Sequence, residues 1–351
     1  MAYITKKKIK GKLYYYAEHR EWKDGKSRRI WQKYLGSIEK IMDAIEGKDV
    51  TPAYSLVFEF GAIAAYLSIA EQINLVENID SMLPKRSQGI SIGEYILLAV
   101  INRGVDAVSK SSMWKWFENT ILFHCKSHIK RNMLSSQRFW DNMSLIQEST
   151  ISEIWMNIIN QVITKYNIDL SRISYDGTNF YTFISTFNMR STIAKRGKNK
   201  QGRNKLRQVS YALFCSKKDH IPLFFDIYDG NTADSKEFSR IVAKFRKVFG
   251  NRVSENSPMT IIFDKGNNSK KNIKQIDEGP FNFVGTVKLS EHKDLASISN
   301  ESKKFVPCEH PKLNGIKAHR LKKNIYQKAR TVIVMFNPKL YRDQVGTINN
   351  D

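Results

Sequence analysis

Cysteine and long apolar runs are both scarce in this chain of 351 residues. The three cysteines, Cys125, Cys215 and Cys308, cannot form a disulfide framework, which favours a reducing compartment. The longest unbroken apolar stretches, such as 96–101, fall far short of the roughly 18 residues that a membrane-spanning helix needs. No apolar stretch follows the basic N-terminus, so the sequence predicts neither a signal peptide nor a membrane protein.

Several catalytic and metal-binding motifs are also missing from the sequence. It has no phosphate-cradling Gly-Lys-Ser loop and no Gly-x-Ser-x-Gly elbow, so an ATPase or a serine hydrolase has no support. Two groups of possible zinc ligands lack the paired spacing of zinc sites, and isolated histidines are usually ordinary surface or core residues. These two groups are His124, Cys125 and His128, and Cys308 and His310.

Acidic residues are few relative to basic ones, which favours a polyanionic partner. The chain has 57 Lys and Arg against 34 Asp and Glu, a formal charge of +23. No acid occurs from Gly177 to Lys218, and Gly197 and Gly202 disfavour a helix there, so an exposed loop is expected. The loop either contacts a phosphodiester backbone, which the overall charge favours, or is solvated and mobile. Its candidate DNA-binding residues are Lys195, Arg196, Lys198, Lys200, Arg203, Lys205 and Arg207.

The first half of the chain divides into a basic hairpin (1–50) and a helical region (51–167). Residues 1–36 hold eleven Lys and Arg against three acids, and Asp24-Gly25 is a hairpin turn signal. The hairpin either contacts DNA or is a small sheet with a solvated basic face. Residues 56–123 read as helical, with an apolar, Ala-rich stretch at 58–73 and a further helix at 106–123, and 135–166 reads as two more helices. Capping boxes are expected at Ser91/Glu94 and Thr150/Glu153. The helices form either a helix-turn-helix or an ordinary packed bundle, and the region is a candidate DNA-end-binding domain.

The second half of the chain predicts an α/β domain over 168–295. Strands are expected at 168–176, 181–185, 209–216, 221–228, 259–263 and 281–287. Helices are expected at 234–249, beginning with an Asp234/Glu237 capping box, and at 268–276. Two further strands, 317–326 and 328–336, follow in the last segment, 296–351. This order predicts a mixed sheet with flanking helices.

Two aspartates follow apolar strands in this α/β domain. Asp176 precedes Gly177, and Asp264 precedes Lys265-Gly266. In an open α/β sheet, sites gather at the carboxyl ends of strands, and carboxylates held there suit a hard cation. Each aspartate alone is more easily explained as a turn residue. The pair is more informative, because the element order can place both strands side by side.

At these residues the sequence resembles bacterial and archaeal insertion-sequence transposases of the acidic-triad (DDE) type. The closest branch has a Tyr-Arg-Glu-Lys box and a β-strand insertion. The resemblance covers most of the chain, including residues 30–36 and 109–118. Its most specific motifs occur in order and are Tyr175-Asp176-Gly177-Thr178-Asn179-Phe180, Lys195-Arg196-Gly197-Lys198-Asn199-Lys200, Arg207-Gln208-Val209, Gly230-Asn231-Thr232-Ala233-Asp234 and Phe263-Asp264-Lys265-Gly266-Asn267-Asn268-Ser269.

The resemblance implies an RNase H-like catalytic core in which Asp176 and Asp264 are catalytic metal ligands for Mg²⁺ (or Mn²⁺). It also implies a third ligand, a glutamate on a helix beyond the insertion. The sequence departs from the family here, because Tyr341-Arg342-Asp343 is not the Tyr-Arg-Glu-Lys box. We therefore expect a chain truncated within the insertion, with an incomplete core. Glu301 has a spacing from Asp264 like that of compact integrases, but its surroundings do not predict an amphipathic helix.

The function that the resemblance implies is an insertion-sequence transposase. It would cut element ends and join the 3′-hydroxyl to target DNA by two-metal phosphoryl transfer. Without the third acid, we expect weak or absent activity. The alternatives are a non-catalytic DNA-binding remnant or transposition regulator, and a structure-selective nuclease. The implied partners are double-stranded DNA, as terminal inverted repeats and target, and a second copy in a homodimer. The implied location is a prokaryotic cytoplasm, at the nucleoid.

Overall fold

The computed structural model describes residues 2–47, 56–84, 89–198, 202–254 and 256–350. Contacts divide the chain into two compact units, Met1–Ile146 and Gln147–Asp351. Lys200, one of the predicted DNA-binding residues, lies outside the described residues. The four predicted domains stay predictions, although the contacts assign 147–167 to the unit that contains the sheet.

The first unit begins with a three-stranded antiparallel sheet in the order β1-β2-β3, followed by a short helix. Two hairpins are present where one was predicted. Asp24 and Gly25 both have positive φ, +54° and +69°, as the predicted tight turn requires. A second such turn lies at Lys10-Gly11. The elements are β1 (Ala2–Ile9), β2 (Lys12–Lys23), β3 (Lys26–Gly36) and α1 (Ile38–Ile45).

The rest of the first unit is helical, with a core of large apolar side chains that includes Leu98 and Phe117. The predicted Ser91/Glu94 capping box is confirmed at the start of α4. The single helix predicted over 106–123 is wrong, because Asn119 and Thr120 separate two short helices. The helices are α2 (Gly61–Gln72), α3 (Leu75–Asp80), α4 (Ile92–Val105), α5 (Met113–Glu118), α6 (Leu122–Cys125) and α7 (Ser136–Met143).

The second unit is built on a mixed sheet, which confirms the predicted α/β class. Strands β4, β6 and β7 pair antiparallel, whereas β8 and β9 run parallel to β4. The hydrogen-bonded order is β5-β6-β4-β8-β9, with β7 also paired to β6. These strands are β4 (Arg172–Thr182), β5 (Lys195–Arg196), β6 (Arg207–Ser216), β7 (Pro222–Asp229), β8 (Met259–Ile262) and β9 (Phe281–Val284).

The predicted strand break after Asp176 is wrong. β4 continues through Gly177 to Thr182, because β6 pairs with it without interruption from Ile173 to Thr182. Asp176 therefore lies inside a strand and not at its end. Relative to the parallel neighbour β8, however, pairing stops at Ser174, so Asp176 still lies beyond the last parallel pair.

Three helices flank this sheet: α8 (Glu148–Tyr166), α9 (Asp234–Phe249) and α10 (Lys270–Asp277). Ile159 and Ile163 of α8 and the phenylalanines of α9 share one core with the strands. Two predicted capping boxes are wrong. Thr150 cannot cap α8, because this helix already begins after Gln147. Asp234 cannot cap α9, because it lies in the first helical turn, and the N-cap residue Ala233 makes no side-chain hydrogen bond.

The second unit ends with α11 (Lys293–Ala296), β10 (Val306–Pro307), β11 (Lys317–Ile325), β12 (Lys328–Phe336) and α12 (Pro338–Asn350). β11 and β12 confirm the two predicted strands, and they pair antiparallel. The Arg330 guanidinium of β12 donates to Asp277 Oδ2 of α10 at 2.5 Å, which fastens this pair to the helices of the sheet. Within the described residues, no helix is both long and apolar enough to cross a membrane.

Candidate metal centre and basic segment

The pairing of β4 with β8 determines how the two candidate aspartates are placed. Ser174 lies opposite Ile262 in the parallel register, and Asp176 and Asp264 each follow two residues later. Side chains alternate along a strand and neighbouring strands lie about 4.8 Å apart. Tyr175 and Phe263 both belong to the buried core on one face of the sheet. The two aspartates therefore occupy equivalent positions on the opposite face.

Asp176 is exposed on β4, and the residue after it is tightly enclosed. The backbone N–H of Gly177 donates to Asp176 Oδ1 at 2.8 Å. A Cβ at Gly177 would lie 3.0 Å from Cγ of Asp234, at the start of α9. The Tyr228 hydroxyl donates to Asp234 Oδ1 at 2.7 Å. Asp234, which the sequence predicted as a helix cap, instead packs against β4 at Gly177.

Asp264 caps the 3₁₀ turn that follows β8. Its Oδ1 accepts hydrogen bonds from the Gly266 N–H at 3.1 Å and from Asn267 Nδ2 at 2.9 Å. Asn267 is buried, and its own Oδ1 has no hydrogen-bond partner among the described residues. The turn therefore fixes one carboxylate oxygen of Asp264.

Two buried tyrosines lie behind this part of the sheet. Burial, reinforced by the negative charges of Asp234 and Asp176, raises the pKa of Tyr175 well above its ordinary value. Burial and the hydrogen bond to Asp234 raise the pKa of Tyr228 in the same direction. Both phenols therefore stay protonated at neutral pH, and the Tyr228 hydroxyl uses its proton to donate to Asp234.

A third acidic ligand is not brought to the two aspartates in the part of the chain that the structure describes. No group of three or more His, Cys, Asp or Glu side chains there could hold a metal ion. Glu301 lies in an exposed turn after α11, where its N–H donates to Ser299 Oγ.

Between its paired ends, the described part of the basic segment 195–207 is a largely exposed loop, as expected, but the ends belong to strands. Lys195 and Arg196 form β5 and pair with the start of β6. The buried amide of Gln208 donates to the carbonyls of Gly230 at 2.6 Å and Lys198 at 3.3 Å. The segment is thereby fastened to the turn between β7 and α9.

The predicted basic residues differ in what their side chains do. The half-buried guanidinium of Arg207 donates to the carbonyls of Ser185 and Asn188, so it orders the backbone after β4. Arg203 lies over the Tyr181 ring, 4.9 Å from its centroid. Lys198, Arg203 and Lys205 are exposed. These three have the accessibility that a phosphate contact requires.

Sequence reasoning missed Asn267 and Gln208 as supporting residues. Both are amides whose partners are backbone groups or a neighbouring carboxylate, and Gln208 bonds to Gly230, which is distant in sequence. Their only signal was their position inside the Asp264 and Arg-Gln-Val motifs. Nothing in their residue type predicts such a role.

The sequence matches no protein-family model and no curated protein. Among solved structures, it is similar to piggyBac transposase in a synaptic complex with hairpin DNA. The identity is 12% and the TM-score 0.34, over 78% of this chain and 59% of that chain. It is also similar to Mos1 transposase in a paired-end complex with the left transposon end. There the identity is 9% and the TM-score 0.23, over 60% of this chain and 63% of that chain. This chain thus spans about six tenths of the length of either transposase. Likeness of this degree assigns neither an activity nor a family.

Proposed function

We propose that this protein is an insertion-sequence DNA transposase, which cuts the ends of its element and joins the 3′-hydroxyl to target DNA. The observation that carries the proposal is the parallel register of β4 and β8, because Asp176 and Asp264 each lie two residues beyond its last pair, Ser174 and Ile262. The surrounding motifs and the mixed sheet agree with the RNase H-like core of the family that the sequence resembles.

The residues at this face suit a divalent cation. Carboxylate oxygens are the ligands that Mg²⁺ and Mn²⁺ prefer. Asn267 and the Gly266 N–H orient Asp264, as hydrogen-bonding neighbours orient ligands in metal sites. Bound there, two such ions would activate the attacking water or 3′-hydroxyl and stabilise the leaving oxygen. Asp176 and Asp264 would hold these ions.

The protein itself would position the reacting groups and bind the DNA. Asp176 is held inside β4, so a paired strand and not a mobile loop fixes its position. Lys198, Arg203 and Lys205 would neutralise phosphates of duplex DNA. The N-terminal sheet, whose strands carry most of the eleven Lys and Arg of residues 1–36, would contact the terminal inverted repeats. A homodimer would hold both ends of the element.

We expect joining by this chain to be weak. Within the described residues the two aspartates lack a third acidic ligand. Two carboxylates cancel less of the charge of two divalent ions than three do, so the second ion is held poorly. DNA binding does not need the third ligand and is expected to be intact.

The experiment is a strand-transfer assay with end-containing DNA and Mn²⁺. Residual joining by the wild type should fall by more than about tenfold in Asp176→Asn and in Asp264→Asn, because each change removes a metal ligand. Asp343→Asn, on α12, is the matched control and should leave joining unchanged. Joining that survives Asp176→Asn would contradict the metal site, and robust joining by the wild type would contradict the expected weakness.

A second candidate function is a non-catalytic DNA-binding remnant or regulator that occupies element ends. The lack of a third acidic ligand within the described residues favours it. The same assay separates the two candidates. A regulator binds end-containing DNA with equal affinity as wild type and as Asp176→Asn, and neither protein joins DNA with any divalent metal.

A further inference from the structure

The segment 183–191, which we name the 183–191 loop, exposes large apolar side chains directly after β4. Phe183, Phe187 and Met189 are 79%, 90% and 86% exposed. Isolated exposed apolar residues are ordinary, but three on one short loop suggest a surface that contacts a partner.

Hydrogen bonds from distant residues and within the loop give it a defined conformation. Arg207 Nη1 donates to the carbonyls of Ser185 at 3.1 Å and Asn188 at 2.9 Å. Arg196 Nη2 donates to Thr186 Oγ1 at 2.9 Å. At the tip, the Asn188 N–H donates to the Ser185 carbonyl, which closes a turn that contains Phe187. A loop ordered in this way loses little conformational entropy when it binds.

Charge identifies the kind of partner. No acidic residue occurs from Gly177 to Lys218, so the loop lies within the most uniformly basic stretch of the chain. The matching loop of a second copy lies in the same acid-free stretch, so contact between two such loops would be repelled. Duplex DNA offers phosphates to the basic residues and apolar base faces to Phe187 and Met189. Phenylalanine and methionine are among the side chains that wedge between base steps and kink a duplex.

We propose that the 183–191 loop is a wedge that inserts Phe187 and Met189 into duplex DNA and unstacks a base step. The proposal rests on the proposed function, since it requires DNA at this domain. Phe183 supports the base of the wedge, because its ring packs edge-on against Tyr181 at 5.7 Å. From Asp176 to Thr182, β4 covers about 20 Å. Base pairs of a duplex are spaced about 3.4 Å apart. A duplex lying along β4 would therefore be distorted about six base pairs from the phosphodiester at Asp176.

The test uses the full chain and short duplexes that carry 2-aminopurine, whose fluorescence rises when it unstacks, at successive pyrimidine–purine steps. Such steps kink most easily. The wild type should raise the fluorescence several-fold at one step. The Phe187→Ala/Met189→Ala variant should lose this rise and bind DNA about tenfold more weakly, because it loses base stacking. Its salt dependence of binding should be unchanged, because no phosphate contact is removed.

Two further variants serve as controls. Phe187→Leu keeps an apolar wedge and should retain the rise. Ile348→Ala removes a 73% exposed side chain from α12 and should change neither fluorescence nor affinity. Anisotropy in the same samples reports binding. A wild type that binds no duplex overturns the proposed function together with the wedge. Binding without a rise at any step, or a rise that survives the double alanine variant, overturns the wedge alone. A double variant that changes only the oligomeric state would assign the loop to contact between copies.

Discussion

Gly177 shows how one residue can constrain the candidate site. The sequence favoured a turn glycine after Asp176, but Gly177 lies inside a continuous strand. Glycine is needed here because Asp234 comes close to the backbone, and not because the backbone has an unusual conformation. A Cβ at this position would lie 3.0 Å from both Cγ and Oδ2 of Asp234. The first turn of α9 can therefore pack on β4 at Gly177, on the face opposite to Asp176, only if this position has no side chain.

We expect Gly177→Ala to destabilise the protein by about 1–3 kcal/mol through overpacking. The matched control is Gly346→Ala on α12, where a Cβ meets open space and helix propensity favours alanine by about 1 kcal/mol. Urea denaturation of both variants measures the difference. If Gly177→Ala unfolds at the same urea concentration as Gly346→Ala, the close packing of Asp234 on Gly177 is wrong.

Among single residues, the sequence identified as candidate site residues those that stand in a recognisable pattern with their neighbours in the chain. Asp176 and Asp264 stand after apolar runs and before glycines, and that pattern is readable in the chain. Gln208 and Asn267 stand in no such pattern, because their side-chain amides find a hydrogen-bond acceptor only when folding brings a carbonyl or a carboxylate close to them. Arg207 was predicted to contact DNA by its charge, whereas its geometry assigns it to the carbonyls of the 183–191 loop.

Among the elements, α9 was predicted over the residues that form it, 234–249. Its apolar positions recur with helical spacing, which fixes both the helix and its buried face. Phe238, Phe245 and Phe249 are all fully buried, and the Phe245 ring stacks on Phe214 of β6 at a centroid distance of 4.2 Å. This stack attaches α9 to the face of the sheet opposite to the aspartates.

Replacing Phe245 with alanine should cost about 3–5 kcal/mol, because it leaves a cavity between α9 and β6. Lys247→Ala, an exposed position on the same helix, is the control and should shift stability by no more than about 0.5 kcal/mol. Thermal and urea unfolding report both values. Equal stability of the two variants would show that the aromatic stack does not hold the helix to the sheet.

Element boundaries were less predictable where a neighbouring strand decides them. β4 was predicted to end at Asp176, but pairing with β6 carries it to Thr182. Strand β5 was expected to be loop, because two residues next to Gly197 are too few to show the alternation of apolar and polar residues that indicates a strand. The helix predicted over 106–123 is divided, since the 3₁₀ segment Lys110–Ser112 and the break at Asn119 depend on packing within the helical core.

For the whole molecule, composition predicted the basic character and the order of strands and helices predicted the α/β class, but neither predicted which strands are neighbours. The adjacency of β4 and β8 joins residues that are far apart in the chain, and local pattern does not specify it. The account depends on that adjacency. Charge alone would suit many DNA-binding proteins, whereas the metal-dependent reaction that we propose requires the two aspartates to lie on neighbouring strands.

Iron-directed peptide cleavage tests this central claim most directly. Fe²⁺ occupies oxygen-ligand sites of Mg²⁺ and, with ascorbate and peroxide, cuts the polypeptide close to where it is bound. The account predicts cuts near Asp176 and near Asp264 in the same sample, competed by Mg²⁺ and both lost in Asp176→Asn. Cuts confined to one segment, or cuts near Asp264 that persist in Asp176→Asn, would contradict a shared site.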